Sequence, residues 1–280
     1  MSKRYARALA ALVTGLTAPM RPWRREHTRL LVANALFQRH TVTTRHGPLV
    51  FVTNHIAALL FPRDFARREP EMLDWIDSFE TPCRFWDIGA NIGANALYAA
   101  LRPGIAVLAF EPSPASYAAL CRNIEANGSG ERIQAYCLAL NADTRLGSLN
   151  MSSTGAGGSF NSFESTQDCF GRELAVQFRQ STVGFAIDDF RRLFGLPAPN
   201  YLKIDVDGIE ERILAGAAAT LADPALRSVL VELEAADTAR NAVIVERLER
   251  AGFALAMRGG NQAGSANAIF TRRAADAAAA

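Results

Sequence analysis

The run Arg84-Phe85-Trp86-Asp87-Ile88-Gly89-Ala90-Asn91-Ile92-Gly93 constrains this chain most, because a short apolar strand enters an acid and then a glycine-spaced turn. Ala94 to Leu101, directly after it, reads as a helix. A strand, a tight turn and a helix start place backbone N–H groups and a positive dipole end beside one carboxylate. Such a crevice suits a ligand that carries both charges.

The second half of the unit follows at a suitable distance. Ile105 to Phe110 reads as another buried strand, ending in Glu111. An acid about twenty residues beyond the glycines can accept both hydroxyls of a ribose. Ser113 then suits an N-cap and Pro114 a first helical position. Tyr117, Leu120, Cys121 and Ile124 repeat at helical spacing up to Gly128. The reading is a βαβα unit for a nucleoside-bearing cofactor. A dinucleotide turn needs G-x-G-x-x-G so that backbone can approach a pyrophosphate, and here Asn91 stands at the second glycine. Its side chain narrows that approach. S-adenosyl-L-methionine carries no phosphate; its α-amino group suits Asp87 and its carboxylate suits free backbone N–H groups.

A chain of 280 residues, 49% of them hydrophobic, can bury one α/β core plus a small appendage. A net charge of +2 is too small to imply nucleic-acid binding. Cys83, Cys121, Cys137 and Cys169 show no paired spacing, so reduced, mostly buried thiols in a cytoplasmic protein are expected. The four histidines, His27, His40, His46 and His55, all precede the glycine turn, which leaves the cofactor core without a histidine base or zinc ligand. Ala8 to Leu16 is too short to span a membrane and is broken by Thr14 and Gly15. Lys3, Arg4, Arg7, Arg21, Arg24 and Arg25 flank it. That pattern fits a weak signal peptide or a basic amphipathic helix, and the plainer expectation is an exposed terminal helix.

Further along, a helix is expected from Glu26 to Arg39, a hairpin over His40–Thr44 and Pro48–Thr53, and a helix from Pro70 to the Thr81-Pro82 stop. Residues 1–81 are taken as a helical and hairpin cap, 82–273 as the cofactor domain, and 274–280 as a disordered alanine-rich tail. Asn141 to Thr182 breaks the βα rhythm with a Ser/Gly/Asn-rich stretch, the composition of a lid or of a functionless loop. A helix over Ile187–Phe194, a strand over Tyr201–Val206 and one alanine-rich helix over Ile209–Leu221 come next. With a strand over Arg132–Cys137, strands at Ser228–Glu232, Phe253–Met257 and Ala266–Thr271 complete a set of seven beside the hairpin, the last two close enough to pair antiparallel.

Three segments in order resemble the FkbM-type S-adenosylmethionine-dependent methyltransferases: Asp87-Ile88-Gly89-Ala90-Asn91-Ile92-Gly93, Phe110-Glu111-Pro112-Ser113-Pro114, and Leu202-Lys203-Ile204-Asp205-Val206-Asp207-Gly208-Ile209-Glu210. Asn161-Ser162 and Val231-Glu232 agree more loosely. The family usually carries Glu where this chain has Asp207, which shortens that carboxylate's reach. The resemblance implies the class I methyltransferase fold, an α/β Rossmann-like architecture with a seven-stranded, mostly parallel sheet and an antiparallel last strand. It implies that Asp87, Gly89, Asn91 and Gly93 line the methionine part of S-adenosyl-L-methionine, that Glu111 meets its ribose, and that Asp205 joins them from the fourth strand. It also implies an O-methyltransferase acting on hydroxyls of sugars, glycans or small metabolites.

Methyl transfer to an alcohol needs alignment and removal of a proton. The candidates are Lys203, Asp205, Asp207 and Glu210. Residues two apart share a strand face, so Lys203 can lie beside Asp205. Lys203 and Lys3 are the only lysines in an arginine-rich chain. Lysine can lose its proton when buried and arginine effectively cannot. Lys203 therefore either relays a proton, fixes Asp205, or forms a structural ion pair within the sheet. The carboxylates Asp205, Asp207, Glu210 and Glu232 have no metal-site spacing, and no metal is expected. Trp86, Phe110 and Phe160 are aromatic candidates for stacking, with core packing as the alternative. Two competing functions stand beside methyl transfer, a nicotinamide-dependent oxidoreductase and a non-catalytic cofactor-fold module. The expected partner is a small-molecule or glycan acceptor, without nucleic acid and without stable membrane insertion.

Overall fold

The central strands are apolar on both faces, which is what a parallel sheet covered by helices requires. In the computed structural model, which describes residues 2–159, 161–167, 171–235, 237–259 and 264–273, they lie in the middle of a seven-stranded sheet. In chain order, α1 (Ser2–Thr17) and α2 (Pro22–Ala35) lead into the hairpin of β1 (Gln38–Thr44) and β2 (Gly47–Thr53), then α3 (Ile56–Arg68) and α4 (Pro70–Asp77). β3 (Cys83–Ile88), α5 (Ala94–Leu101), β4 (Ile105–Phe110), α6 (Pro114–Ala126) and β5 (Ile133–Tyr136) make the first wound half. A side sheet comprises β6 (Ala139–Leu140), β7 (Arg145–Met151), β8 (Asn161–Phe163) and β9 (Phe178–Phe185). The second half runs α7 (Ile187–Phe194), β10 (Tyr201–Ile204), α8 (Glu210–Ala215), α9 (Ala218–Ala222), β11 (Ser228–Glu234), α10 (Thr238–Arg250), β12 (Phe253–Arg258) and β13 (Ser265–Arg272).

The main sheet has the order β12-β13-β11-β10-β3-β4-β5. β3, β4, β5, β10 and β11 pair in parallel, and β13 runs antiparallel to both of its neighbours. This is the expected α/β architecture with its last strand reversed. β3 and β10 sit where the strand order reverses, so their carboxyl ends border the crevice in which open α/β sheets bind ligands.

One core cluster packs Leu49, Phe51, Met72, Trp75 and Ile76 from the N-terminal elements against Phe85, Tyr98 and Leu120. The hairpin and α4 are thus part of the sheet's own core. A second cluster, with Trp86, Phe110, Phe163 and Phe190, fills the opposite face. Trp86 and Phe110 are spent on this packing rather than on a ligand; their ring centroids stand 5.3 Å apart.

Several expectations are corrected. The segment from Asn141 to Thr182 is not a structureless loop, because β7 pairs antiparallel with both β8 and β9. The helix expected over Glu26–Arg39 is α2 and ends at Ala35. α3 was not expected at all. The alanine-rich helix breaks into α8 and α9 at Gly216, where a Cβ would come within 2.4 Å of the Asn141 carbonyl. Of the thiols, Cys83 is buried while Cys137 is exposed and Cys121 intermediate, so they are not mostly buried. Ser113 holds the N-cap position of α6 without making a capping bond. Phe160, Cys169 and residues 274–280 lie outside the described residues.

Candidate functional site

A cavity of about 630 Å³ opens at the carboxyl ends of β3, β4, β10 and β11, with α3 and the β8 approach as its outer wall. Small-molecule sites fall in the range of roughly 300–1,000 Å³. Of the residues singled out in the sequence, Gly89, Asn91, Glu111, Lys203, Asp205 and Asp207 line it. Asp87 and Gly93 do not.

The glycine turn is fixed by close packing. Gly89 has φ +77°, and a Cβ there would stand 1.9 Å from the Asp205 carbonyl oxygen. Only glycine meets both conditions. Asn91 is left-handed at φ 51°, a conformation that Asn tolerates better than most residues. The turn does not leave its N–H groups free, contrary to expectation. Gly89 and Ala90 both donate to the Phe110 carbonyl at 3.0 Å, Gly93 to the Ala90 carbonyl, and Asn91 to Glu111 Oε2 at 2.8 Å. The start of α5 borders the cavity instead. That helix begins at Gly93 with no side-chain cap, and Ala94 and Asn95 line the cavity. Asn91 Oδ1 is buried and has no hydrogen-bond partner among the described residues.

Lys203 lies under this turn, fully buried at 1% exposure. The parallel register sets it beside Asp87 on β3, and period-two geometry puts Asp205 on the same side. Its Nζ lies 3.1 Å from Asp87 Oδ1 and 3.2 Å from Asp205 Oδ2, and it donates to the carbonyls of Gly89 at 3.3 Å and Ile88 at 3.4 Å. Four acceptors surround three N–H bonds. Burial alone disfavours the charge, yet Asp205 and Asp87 outweigh it and hold the ammonium above the ordinary lysine value. Lys203 is therefore a fixed cation. It joins Asp87, which is wholly buried, to Asp205, whose side chain remains 29% exposed.

Glu111 accepts from two backbone donors, Asn91 N–H and Ser113 N–H, each at 2.8 Å. A carboxylate has about four acceptor positions, so two are left for a ligand. Burial pushes its pKa up to about 7 despite those two bonds. Glu210 behaves similarly: it accepts from the N–H groups of Val206 and Gly208 and is pushed by burial to about 7. It therefore shapes the turn after β10. Asp207, left-handed at φ 56°, accepts from the Asn161 N–H at 3.3 Å and so ties β8 to the cavity.

Glu232, named in the sequence as a carboxylate, and residues missed there complete the wall. Glu69, at the α3–α4 junction, is pushed by burial and by Asp205 to about 7. Glu232 is pushed by burial and Asp205 to about 9, although Ser265 donates to its Oε1 at 2.6 Å. Glu234, Arg67 and Arg68 also line the cavity. The signal for Glu69 was Pro70, which marks a helix start and hence a preceding bend. Gly155 and Gly157 press against α3, where a Cβ would fall within 2.2 Å of the His55 ring and 2.6 Å of the Ala58 nitrogen respectively. Among the described residues, no group of three or more His, Cys, Asp or Glu side chains converges in a way that could hold a metal ion.

A family model for the methyltransferase FkbM domain matches residues 87–255, more than half of the chain. The chain belongs to that family. No curated protein matches it. The solved structures it is similar to include three at low identity. Methyltransferase FkbM from Methylobacillus flagellatus KT is 15% identical, with 69% of this chain and 44% of that one covered and a TM-score of 0.49. Precorrin-6y C5,15-methyltransferase from Geobacter metallireducens GS-15 is 15% identical, with 74% and 87% covered and a TM-score of 0.43. P. horikoshii TYW2 in complex with MeSAdo is 11% identical, with 84% and 69% covered and a TM-score of 0.42. The chain thus spans less than half the length of the first of these.

Proposed function

We propose that this FkbM-family chain is an S-adenosyl-L-methionine-dependent methyltransferase that methylates a hydroxyl oxygen on a sugar, glycan or other small metabolite. The observation that carries the proposal is the convergence on one cavity of Glu111, the Gly89–Gly93 turn and the Lys203–Asp205 pair. The donor set fits that cofactor. Glu111 has acceptor positions for ribose hydroxyls, the uncapped start of α5 can bind a carboxylate, and Asn91 Oδ1 offers an acceptor to an ammonium. The carboxylates around the cavity suit a cation. When bound, the cofactor supplies an electrophilic methyl group on a sulfonium.

The chain's own residues then orient the acceptor and take its proton. Lys203, held charged, cannot serve as the base; it positions Asp205 and braces the glycine turn through the Gly89 and Ile88 carbonyls. Asp205 is the base we favour, as the partly exposed carboxylate at the end of β10, with Asp207 beside it. The acceptor is a small molecule or glycan and not a nucleic acid. Asn91 in the turn works against a nicotinamide dinucleotide. Calorimetric titration with S-adenosylmethionine, S-adenosylhomocysteine and NAD tests the reading. Binding of the first two is expected, and binding of NAD alone would overturn it. Labelled methyl transfer to a panel of hydroxylated metabolites and glycans then identifies the acceptor.

A further inference from the structure

α1 and α2 pair with each other through Arg29, whose Nε donates to Thr17 Oγ1 at 2.7 Å and whose Nη2 donates to the Thr14 carbonyl at 3.1 Å. Among the described side chains of these two helices, only Thr17 is buried. Helices of this length are marginal in water unless an apolar face is covered. Here that face is bare. Tyr5, Leu9, Leu12 and Leu16, spaced four, three and four apart, form one stripe along α1 and are 56–68% exposed, while Trp23 on α2 is 74% exposed. Lys3, Arg4 and Arg7 fall on the opposite side of α1 at helical spacing.

The charge of the segment selects what can cover it. Between Lys3 and Arg39 there are eight basic side chains and one acid, Glu26. The rest of the chain has 22 basic against 27 acidic residues and is net negative. A second copy of the hairpin would bring one such cationic segment against another. A nucleic acid would neutralise the charge and leave the leucine stripe in water. A bilayer with anionic headgroups satisfies both features, since leucines and Trp23 enter the acyl boundary while arginines stay among phosphates. α1 at 16 residues is about 24 Å long, short of the roughly 30 Å hydrocarbon core, so it lies in the interface and does not cross. Among the described residues, no helix is long and apolar enough to cross a membrane.

We propose that the α1–α2 hairpin is a peripheral docking surface for an anionic lipid bilayer. The proposal is independent of the reaction at the sheet ends. The test is co-sedimentation of the full chain with vesicles of phosphatidylcholine, with and without phosphatidylglycerol. Binding to the mixed vesicles is expected, about tenfold weaker to neutral ones and weaker again in high salt. The double variant Leu9→Glu, Leu12→Glu is expected to lower binding at least about tenfold with an unchanged thermal transition, because neither side chain is buried. Leu146→Glu, at a leucine 85% exposed on β7, should leave binding as it is. No binding to mixed vesicles, or binding that survives the double variant, would overturn the proposal. So would light scattering that shows a dimer dissolved by the double variant without vesicle binding.

Discussion

Lys203 and the α1–α2 hairpin place positive charge in opposite ways. Lys203 is one buried cation whose neighbours, two carboxylates and two carbonyls, all belong to the fold. The hairpin displays seven cations on and between helices that bury almost nothing. Removal of the first leaves an uncompensated charge inside the sheet, whereas removal of charge or apolar groups from the second leaves the fold as it was. Charge fixed within the sheet builds the site, and charge left outside it is available to a partner.

The contrast sharpens into measurable differences. Lys203→Met leaves Asp87 buried without its cation and should cost about 3–5 kcal/mol in urea unfolding. A cost below about 1 kcal/mol would mean that the pair is not structural. Gly89→Ala forces a Cβ onto the Asp205 carbonyl at φ +77°, and a loss of about 2–4 kcal/mol is expected from the same assay. Glu111→Gln keeps the shape of the site but removes its charge. Cofactor affinity should fall about 10–100-fold by calorimetry, in line with about 1.5–3 kcal/mol for hydrogen bonds to a charged group.

Stability should also depend on pH in a defined direction. Glu111 and Glu210 titrate at about 7 in the fold, against an ordinary value of 4.5. Between those values the unfolded chain has released protons that the folded chain keeps, so stability is highest below about 4.5 and falls as pH rises toward 7. Asp77 and Asp223 are shifted the other way. Their contribution is complete above 3.8 and does not reverse the trend. The urea midpoint should therefore be higher at pH 5 than at pH 8, and raised Glu69 and Glu232 act in the same direction. The smallest effect is at Leu12→Glu, which should change stability by less than about 0.5 kcal/mol. A larger loss would show that the hairpin packs on the core.

Much of the sheet was legible because its strands are apolar on both faces and end in glycine turns. The neighbourhood of Lys203 and Asp205 followed from two-residue periodicity alone. What failed was legibility of glycine. Gly147 falls in the stretch read as a lid or functionless loop, yet it and Gly184 flank the Phe163 ring, and a Cβ at either would come within 2.5 Å of it. Of the glycines that suggested a lid, Gly155 and Gly157 instead give close contact with His55 and α3. α3 was hidden because Pro62 lies inside it. Glu69 stayed invisible as a consequence, since its place at the cavity depends on the bend between α3 and α4. The engaged N–H groups of the glycine turn could not be foreseen either, because their partner, the Phe110 carbonyl, comes from the neighbouring strand.

We propose that the carboxyl ends of β3 and β4 hold the adenosyl cofactor. A crystal structure with S-adenosylhomocysteine tests it most directly. Ribose hydroxyls are expected within hydrogen-bond distance of Glu111, and the amino-acid end between Asn91 and the start of α5. An adenosyl group bound elsewhere, or a Glu111 side chain turned away from the ribose, would contradict it.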